Sequence, residues 1–241
     1  MLWRMLRRVL LKFAITPAFT GASALALDSP TMHVSTLLEQ DPATSIAEQV
    51  MGEAYHRLGL QLEVHRLPGE RSLLSANTGK MDGELYRKVG MEKVYPNLMI
   101  VPVPLLTYEI VVFTRGTTFV VNGWESLRPF TIGFVRGIKI VEQNTQGMKI
   151  EPVLTMQQAF QKMELGRTDV VVANRASGLA VIKALQLEGI GILTPPLVSF
   201  PVYHYLHQKH AALAPRLTAV LQKMHKDMTI EKIQKAVMAT Q

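Results

Sequence analysis

No cysteine occurs in the 241 residues. That absence excludes disulfide staples, thiolate metal sites and the lipidated cysteine that anchors a lipoprotein. No apolar run reaches the roughly 20 residues that a bilayer-spanning helix needs. Beyond the first 26 residues, lysines and arginines are interspersed, form no block and do not alternate with aromatics, so the footprint of a nucleic-acid binder is missing. Low-complexity tracts and internal repeats are absent. So are Gly-x-Ser-x-Gly, a phosphate-binding loop and His-Glu-x-x-His, which leaves no recognisable motif for catalysis. The expectation is a chain that carries out no chemistry and needs no cofactor or metal.

What is present begins with a leader. Arg4, Arg7, Arg8 and Lys12 form a basic head, and Phe13 to Leu25 holds only apolar or small residues. Ala24-Leu25-Ala26 then supplies a small-x-small cleavage pattern before Leu27. Residues 1–26 therefore read as a signal peptide. The general secretory route is preferred, with Arg7-Arg8 leaving the twin-arginine route open. Of the 26 Lys and Arg residues, four lie in the leader, so 22 face 19 Asp and Glu in the remainder, a balance of +3 rather than +7. Hydrophobic residues make up 48% of the chain, enough to build cores without metal or disulfides.

Strand and helix patterns alternate after the leader. Met32 to Leu37 reads as a strand. Asp41-Pro42 supplies an N-cap and a first-turn proline for a helix with Ile46, Val50, Ala54 and Leu58 on one face. Leu60, Leu62 and Val64 alternate as a strand, and a short helix from about Glu70 to Asn77 precedes a strand at Met81 to Tyr86. Leu98 to Val103 and Glu109 to Thr114 are β-rich runs divided by prolines, with no helix between them. A second series follows: strands at Thr131 to Val135, Lys149 to Val153 and Asp169 to Ala173, and helices up to Asn144, after the Thr155/Gln158 capping box and over Gly178 to Glu188. After Ile190 to Leu193, Pro195, Pro196 and Pro201 mark another crossing, then an extended Pro201 to Leu206 and two helices, about Ala211 to Asp227 and Thr229 to Ala239. Two β-α series joined by two extended crossings predict an α/β fold of two lobes, each a mostly parallel sheet flanked by helices, with a cleft at the strands' carboxyl ends.

Arg71-Ser72-Leu73, the run Ala76-Asn77-x-Gly79-x-x-Asp82-Gly83-Glu84, Tyr95-Pro96-Asn97-Leu98 and Gly166-Arg167-x-Asp169 with Val170 to Val172 carry a resemblance. Together they resemble the family 3 extracellular solute-binding proteins, in the branch of amino-acid transport or signal-transduction periplasmic components. The resemblance implies a type II periplasmic-binding-protein fold, with lobe 1 at residues 27–113 plus 202–241 and lobe 2 at 114–201. It implies a monomer that hands a small ligand to the permease of an ABC importer or informs a membrane sensor. A chain without an anchor that must stay near such a partner is best confined to a Gram-negative periplasm.

The family's amino-acid binders clamp the ligand carboxylate with an arginine in a Thr-x-x-Arg segment. Here Glu84-Leu85-Tyr86-Arg87-Lys88 stands in its place, and Arg87 is the counterpart. The family's ammonium-gripping aspartate, five residues after Asp169, is replaced by Asn174, which lacks the charge that strengthens that contact. An anionic or neutral polar ligand is expected over a zwitterionic amino acid. The candidate contacts are Arg71, Glu84, Arg87, Tyr108, Arg136, Gly137, Asn174 and Arg175.

Each candidate carries a structural alternative. Arg71 sits in a helix's first turn, where the macrodipole disfavours a cation, so either an anionic ligand or Glu70 or Glu84 holds it. Arg87 could offer a fork to a carboxylate, and its replacement by alanine is expected to weaken binding with folding unchanged. Arg136-Gly137 lies at a strand-to-helix turn whose backbone N–H groups suit an anion. Asn174, with Arg175 beside it, is either a ligand contact or a helix cap, and Tyr108 is either a stacking wall or a hinge residue. Glu84 is the acid to test if the scaffold were an enzyme. Asp169 reads as a turn residue. His204, His207 and His210 cannot all face one ion from a regular element, so they read as a solvated face.

Overall fold

The computed structural model describes residues 29–38 and 41–240. The leader lies outside these residues. They form one eight-stranded sheet and seven α-helices. Strand β1 (Thr31–Leu37) leads to α1 (Pro42–His56), β2 (Gln61–Leu67), α2 (Gly69–Asn77) and β3 (Gly83–Lys88). A long β4 (Leu98–Arg115) follows, then β5 (Ile132–Val135), α3 (Lys139–Asn144), β6 (Ile150–Val153), α4 (Met156–Glu164), β7 (Val170–Asn174) and α5 (Arg175–Ala184). The long β8 (Ile190–His207), α6 (Ala214–Lys226) and α7 (Thr229–Thr240) complete the chain. No helix among the described residues is long and apolar enough to cross a membrane.

The strand order is β2-β1-β3-β8-β4-β7-β5-β6. β1 pairs in parallel with β2 and β3, and β5 in parallel with β6 and β7. The antiparallel pair β4–β8 lies between these two parallel groups and joins them. Two β-α halves are therefore connected by two extended strands, as the alternation of patterns predicts. Each half has its own core. Met32, Val34, Val50, Met51, Val101, Leu105, Val202 and Leu221 pack on one side of the crossing. On the other, Ile110, Val112, Ile132 and Phe134 form one cluster, and Val111, Phe113, Phe160 and Val171 another. Tyr108 is packed against the first core and also against the Ile110 cluster.

Local chemistry sets these elements. Asp41 accepts the Thr44 N–H at 2.8 Å through Oδ1, capping α1, whose Ile46, Val50 and Ala54 face inward. Thr155 and Gln158 form the capping box of α4. β7 is buried at every position, as a strand covered on both faces requires.

Three expectations need correction. The pairs of β-rich runs in 98–114 and 190–206 are each one continuous strand. Most of their prolines, which lack a donor, are accommodated where the register breaks, whereas Pro201 pairs with Thr107 in regular register. Between the pairs Ile110↔Val198 and Val112↔Leu193, β4 advances two residues and β8 five, and Pro195 and Pro196 occupy that excess. Helix α5 starts at Arg175, ahead of Gly178, because Asn174 caps it. Gly178 lies inside the helix and lets it approach the sheet: a Cβ there would stand 2.2 Å from Phe113 Cζ. Finally, His204 is fully buried and is no part of a solvated face.

Candidate functional site

The carboxyl ends of β1 and β3 and the N-termini of α1, α4 and α5 meet at the crossing strands. Two adjoining cavities lie there, of about 300 Å³ and 600 Å³. Asp41 and Tyr108 line both. The smaller belongs to the first half, with Thr44, Tyr86, Arg87, Lys88 and Phe200 in its wall. The larger runs between the halves, from Asp41 and Pro42 on one side to Val135, Thr155, Asn174 and Ser177 on the other.

Three helix caps thus face one cavity. Asp41 caps α1, Thr155 Oγ1 accepts the Gln158 N–H at 3.2 Å, and Asn174 Oδ1 accepts the Ser177 N–H at 3.1 Å. Each N-terminus carries about half a positive elementary charge and further N–H groups without a helical acceptor. Ser177 Oγ also donates to Asp41 Oδ2 at 3.3 Å, a hydrogen bond from the second half to the first. Tyr108 stacks on Phe200 across β4 and β8, with ring centroids 5.5 Å apart.

Arg87 supplies the charge. Its Nη2 lies 2.5 Å from Glu84 Oε1, and Glu84 is fully buried. Ser35 and Ser72 donate to Glu84 Oε2 at 2.8 Å and 2.6 Å. Burial pushes the Glu84 carboxyl up, opposed by the Arg87 charge and the two serine hydroxyls. On a regular strand, residues three apart point to opposite faces. Between Glu84↔Tyr205 and Arg87↔Tyr203, β3 uses three residues against two on β8, and this bulge turns both side chains to one side. The guanidinium Nη2 is taken up by the Glu84 carboxylate, while Nε is buried and donates no hydrogen bond to a described residue.

The expected contacts divide. Arg87, Tyr108 and Asn174 line the cavities, and Glu84 lies beneath Arg87. Arg71 is exposed on α2 and lines neither, and Glu84 is paired with Arg87 instead. Arg136 is exposed over a separate hollow with Lys162 and Arg167. The Gly137 N–H, expected to meet an anionic ligand, donates at 2.7 Å to the protein's own Glu142. Arg175 is ion-paired with Glu109 and lines another cavity. Asp169 accepts the Thr131 N–H at 2.7 Å, in keeping with a turn role. His204, His207 and His210 separate: His204 bonds Tyr55, His207 accepts the Lys209 N–H, and His210 meets Asp82.

Asp41, Thr44, Tyr86, Thr155, Ser177 and Phe200 were not among the expected contacts. Asp41 and Thr155 show in the sequence as caps, and only the fold reveals that their helices start at one cavity. Asp41→Ala is expected to lower stability by about 1 kcal/mol through loss of the cap, with Asp41→Asn restoring most of it. Urea denaturation of both variants checks this. Equal losses in the two would assign the effect to the charge instead.

No family model matches the chain. A Shewanella oneidensis protein, named only as uncharacterized, is 24% identical, with 92% of this chain and 91% of that one covered. Among solved structures, an ancestral arginine-binding protein bound to glutamine superposes with a TM-score of 0.63 at 18% identity, covering 86% of this chain and 96% of that one. A histidine kinase sensor domain with similarity to periplasmic binding proteins gives a TM-score of 0.65 at 16% identity, covering 87% and 96%. At such identities the likeness establishes the fold, which is that of the type II periplasmic binding proteins.

Proposed function

We propose that this chain is a periplasmic solute-binding protein that closes around a small polar organic acid, amino-acid-like or a simple carboxylate. The observation that carries the reading is the convergence of groups from both halves on one cleft. Arg87, whose Nε donor is unused by described residues, three helix N-termini and the Tyr108–Phe200 wall surround it. Among the described residues lining the two cavities, Asp41 is the only carboxylate, against the cations Arg87 and Lys88. That balance favours an anionic group near Arg87. Because each half supplies part of the wall, ligand stabilises the closed arrangement and shifts the population toward it.

The lobe boundaries we propose follow the cores. Lobe 1 ends near Thr107 and resumes near Pro201, and lobe 2 lies between; these residues are paired with each other across β4 and β8. This places the first crossing a few residues before Phe113, because Ile110 to Phe113 pack in the second half's cores. Among the described residues lining the cleft there is no apposed pair of acids and no histidine to activate a hydroxyl, and the Ser177 hydroxyl is spent on the Asp41 carboxylate that caps α1, so binding without catalysis is the reading. The partner is the permease of an ABC importer. The likeness to a kinase sensor domain supports a second reading, in which the closed form is presented to a membrane sensor.

A thermal-shift screen of the chain against organic acids, amino acids and polyamines tests this. A ligand at 100 times its Kd adds about 2.7 kcal/mol of stability and raises the melting temperature. Organic acids should outperform polyamines. Tyr108→Ala should weaken the best ligand about tenfold, through lost stacking area, while the unliganded protein melts as a single transition. A polyamine as sole hit would reverse the charge assignment, and silence across all three classes would remove the cleft from consideration.

A further inference from the structure

At the edge of the sheet, outside the residues that line the two cavities of the cleft, β1 and β2 place three metal-ligating side chains together. In the parallel pairing, His33 lies opposite Glu63 and Ser35 opposite His65. Side chains alternate along a strand, so positions 33, 63 and 65 share one face. His33 sits near the amino end of β1, whereas the cleft begins at the carboxyl end of that strand. The three donor groups are mutually close. His33 Nδ1 is 3.2 Å from His65 Nε2 and 3.4 Å from Glu63 Oε2, and His65 Nε2 is 3.2 Å from Glu63 Oε1.

We propose that His33, Glu63 and His65 bind a zinc-class divalent cation. Zinc takes imidazole nitrogen and carboxylate oxygen at about 2.0–2.2 Å in tetrahedral geometry, which sets neighbouring donors roughly 3.3–3.5 Å apart. The two nitrogens are within about 0.1 Å of that range, and Glu63 meets one through Oε2 and the other through Oε1; one donor atom from each residue lies within 4.8 Å of the other two, so a rotation of the Glu63 carboxylate completes the set. Two neutral imidazoles and one carboxylate give the set one negative charge, matched to a divalent ion. Imidazole with a single carboxylate selects zinc, copper or nickel over calcium and magnesium, which want oxygen donors. All three side chains are at least one-third exposed, which leaves the fourth tetrahedral position open to water or a ligand.

The neighbouring groups do not compete for the position. Asp82 accepts the His33 backbone N–H at 2.7 Å through Oδ2, and its Oδ1 is held by Lys209 at 2.8 Å and His210 at 2.7 Å. The Asp82 contact fixes the backbone that carries His33, and its other oxygen is taken up by Lys209 and His210. A bound ion would join β1 to the edge strand β2 by a cross-strand link, in addition to their ladder.

Isothermal titration of the tag-free chain with zinc chloride tests the site. One zinc per chain is expected, with copper and nickel binding in competition and magnesium not. His65→Ala and Glu63→Gln should each lose at least about 100-fold in affinity, beyond the 10- to 100-fold typical of a lost supporting contact. In EDTA the variants should unfold at the parent's urea midpoint, so that lost binding is not lost folding. Zinc affinity unchanged in a His33→Ala/His65→Ala double variant would overturn the assignment, as would the absence of saturable binding below millimolar zinc.

Discussion

Replacing Arg87 by alanine is expected to destabilise the fold by about 3–5 kcal/mol near neutral pH, besides weakening the ligand. The sequence alone predicts unchanged folding, because nothing in it ties Arg87 to Glu84. In the structure Glu84 is fully buried with Arg87 as its only cationic partner among the described residues. Removing the guanidinium leaves a carboxylate with two serine hydroxyls and no counter-charge. Its escape is protonation, so the Glu84 pKa, already raised by burial, rises further. The sign follows from proton binding. The folded variant then holds more protons than the unfolded chain above the ordinary glutamate range near pH 4.3, and stability falls as pH rises. The deficit against the parent should be larger at pH 8 than at pH 5. Glu84→Gln added to Arg87→Ala removes the buried charge and should recover much of the loss and flatten the difference between the two pH values. Urea midpoints at both pH values decide it. An Arg87→Ala protein within about 1 kcal/mol of the parent at pH 8 would show that water reaches Glu84 and that the pair matters little to folding.

That example marks where sequence reading stops. The β-α alternation, the Asp41-Pro42 cap and the Thr155/Gln158 capping box are signals confined to a few consecutive residues, and the structure shows each. The continuity of β4 and β8 was hidden because Pro102, Pro104, Pro195, Pro196 and Pro201 read as breaks. Whether a proline interrupts a strand depends on whether its partner strand needs that donor, which the register decides. Glu84 and Arg87 were both picked out, yet their pairing depends on a bulge opposite Tyr205 and Tyr203, encoded in no local pattern. The Gly137 turn has the backbone of an anion site, but Glu142 five residues on already fills it. The His33, Glu63 and His65 cluster unites residues 30 positions apart through the β1–β2 register. Except at the Gly137 turn, where the competing Glu142 is local, the missing information is which backbone lies alongside, a tertiary fact.

Acidification from pH 6.5 to about 4 should remove about 3 kcal/mol of stability through His204 alone. Its Nδ1 lies 3.1 Å from the Leu85 carbonyl oxygen, so the proton sits there and is donated to it. Nε2 then accepts from the Tyr55 hydroxyl at 2.8 Å. Both nitrogens are used by the neutral ring, and a second proton on Nε2 would meet a group that is already donating. Burial holds the His204 pKa down at about 4, against 6.5 for an ordinary histidine. A depressed pKa means that the unfolded chain binds the proton more readily. Stability is therefore complete above pH 6.5 and is lost as pH falls through 4, and about two and a half pKa units correspond to about 3 kcal/mol. His207, lowered by burial and by the neighbouring Lys209 charge, adds to the same slope. Asp82, held at about 2 despite burial by its Lys209, His210 and backbone partners, acts only below this window. His204→Leu leaves the Tyr55 hydroxyl without its acceptor and should cost about 1–3 kcal/mol at pH 7.5. It should also abolish most of the slope between pH 6.5 and 4.5, so that parent and variant stabilities converge on acidification. Unfolding free energies that run parallel across that window would mean that His204 is protonated in the fold, and that the Tyr55–His204–Leu85 relay is not the arrangement in solution.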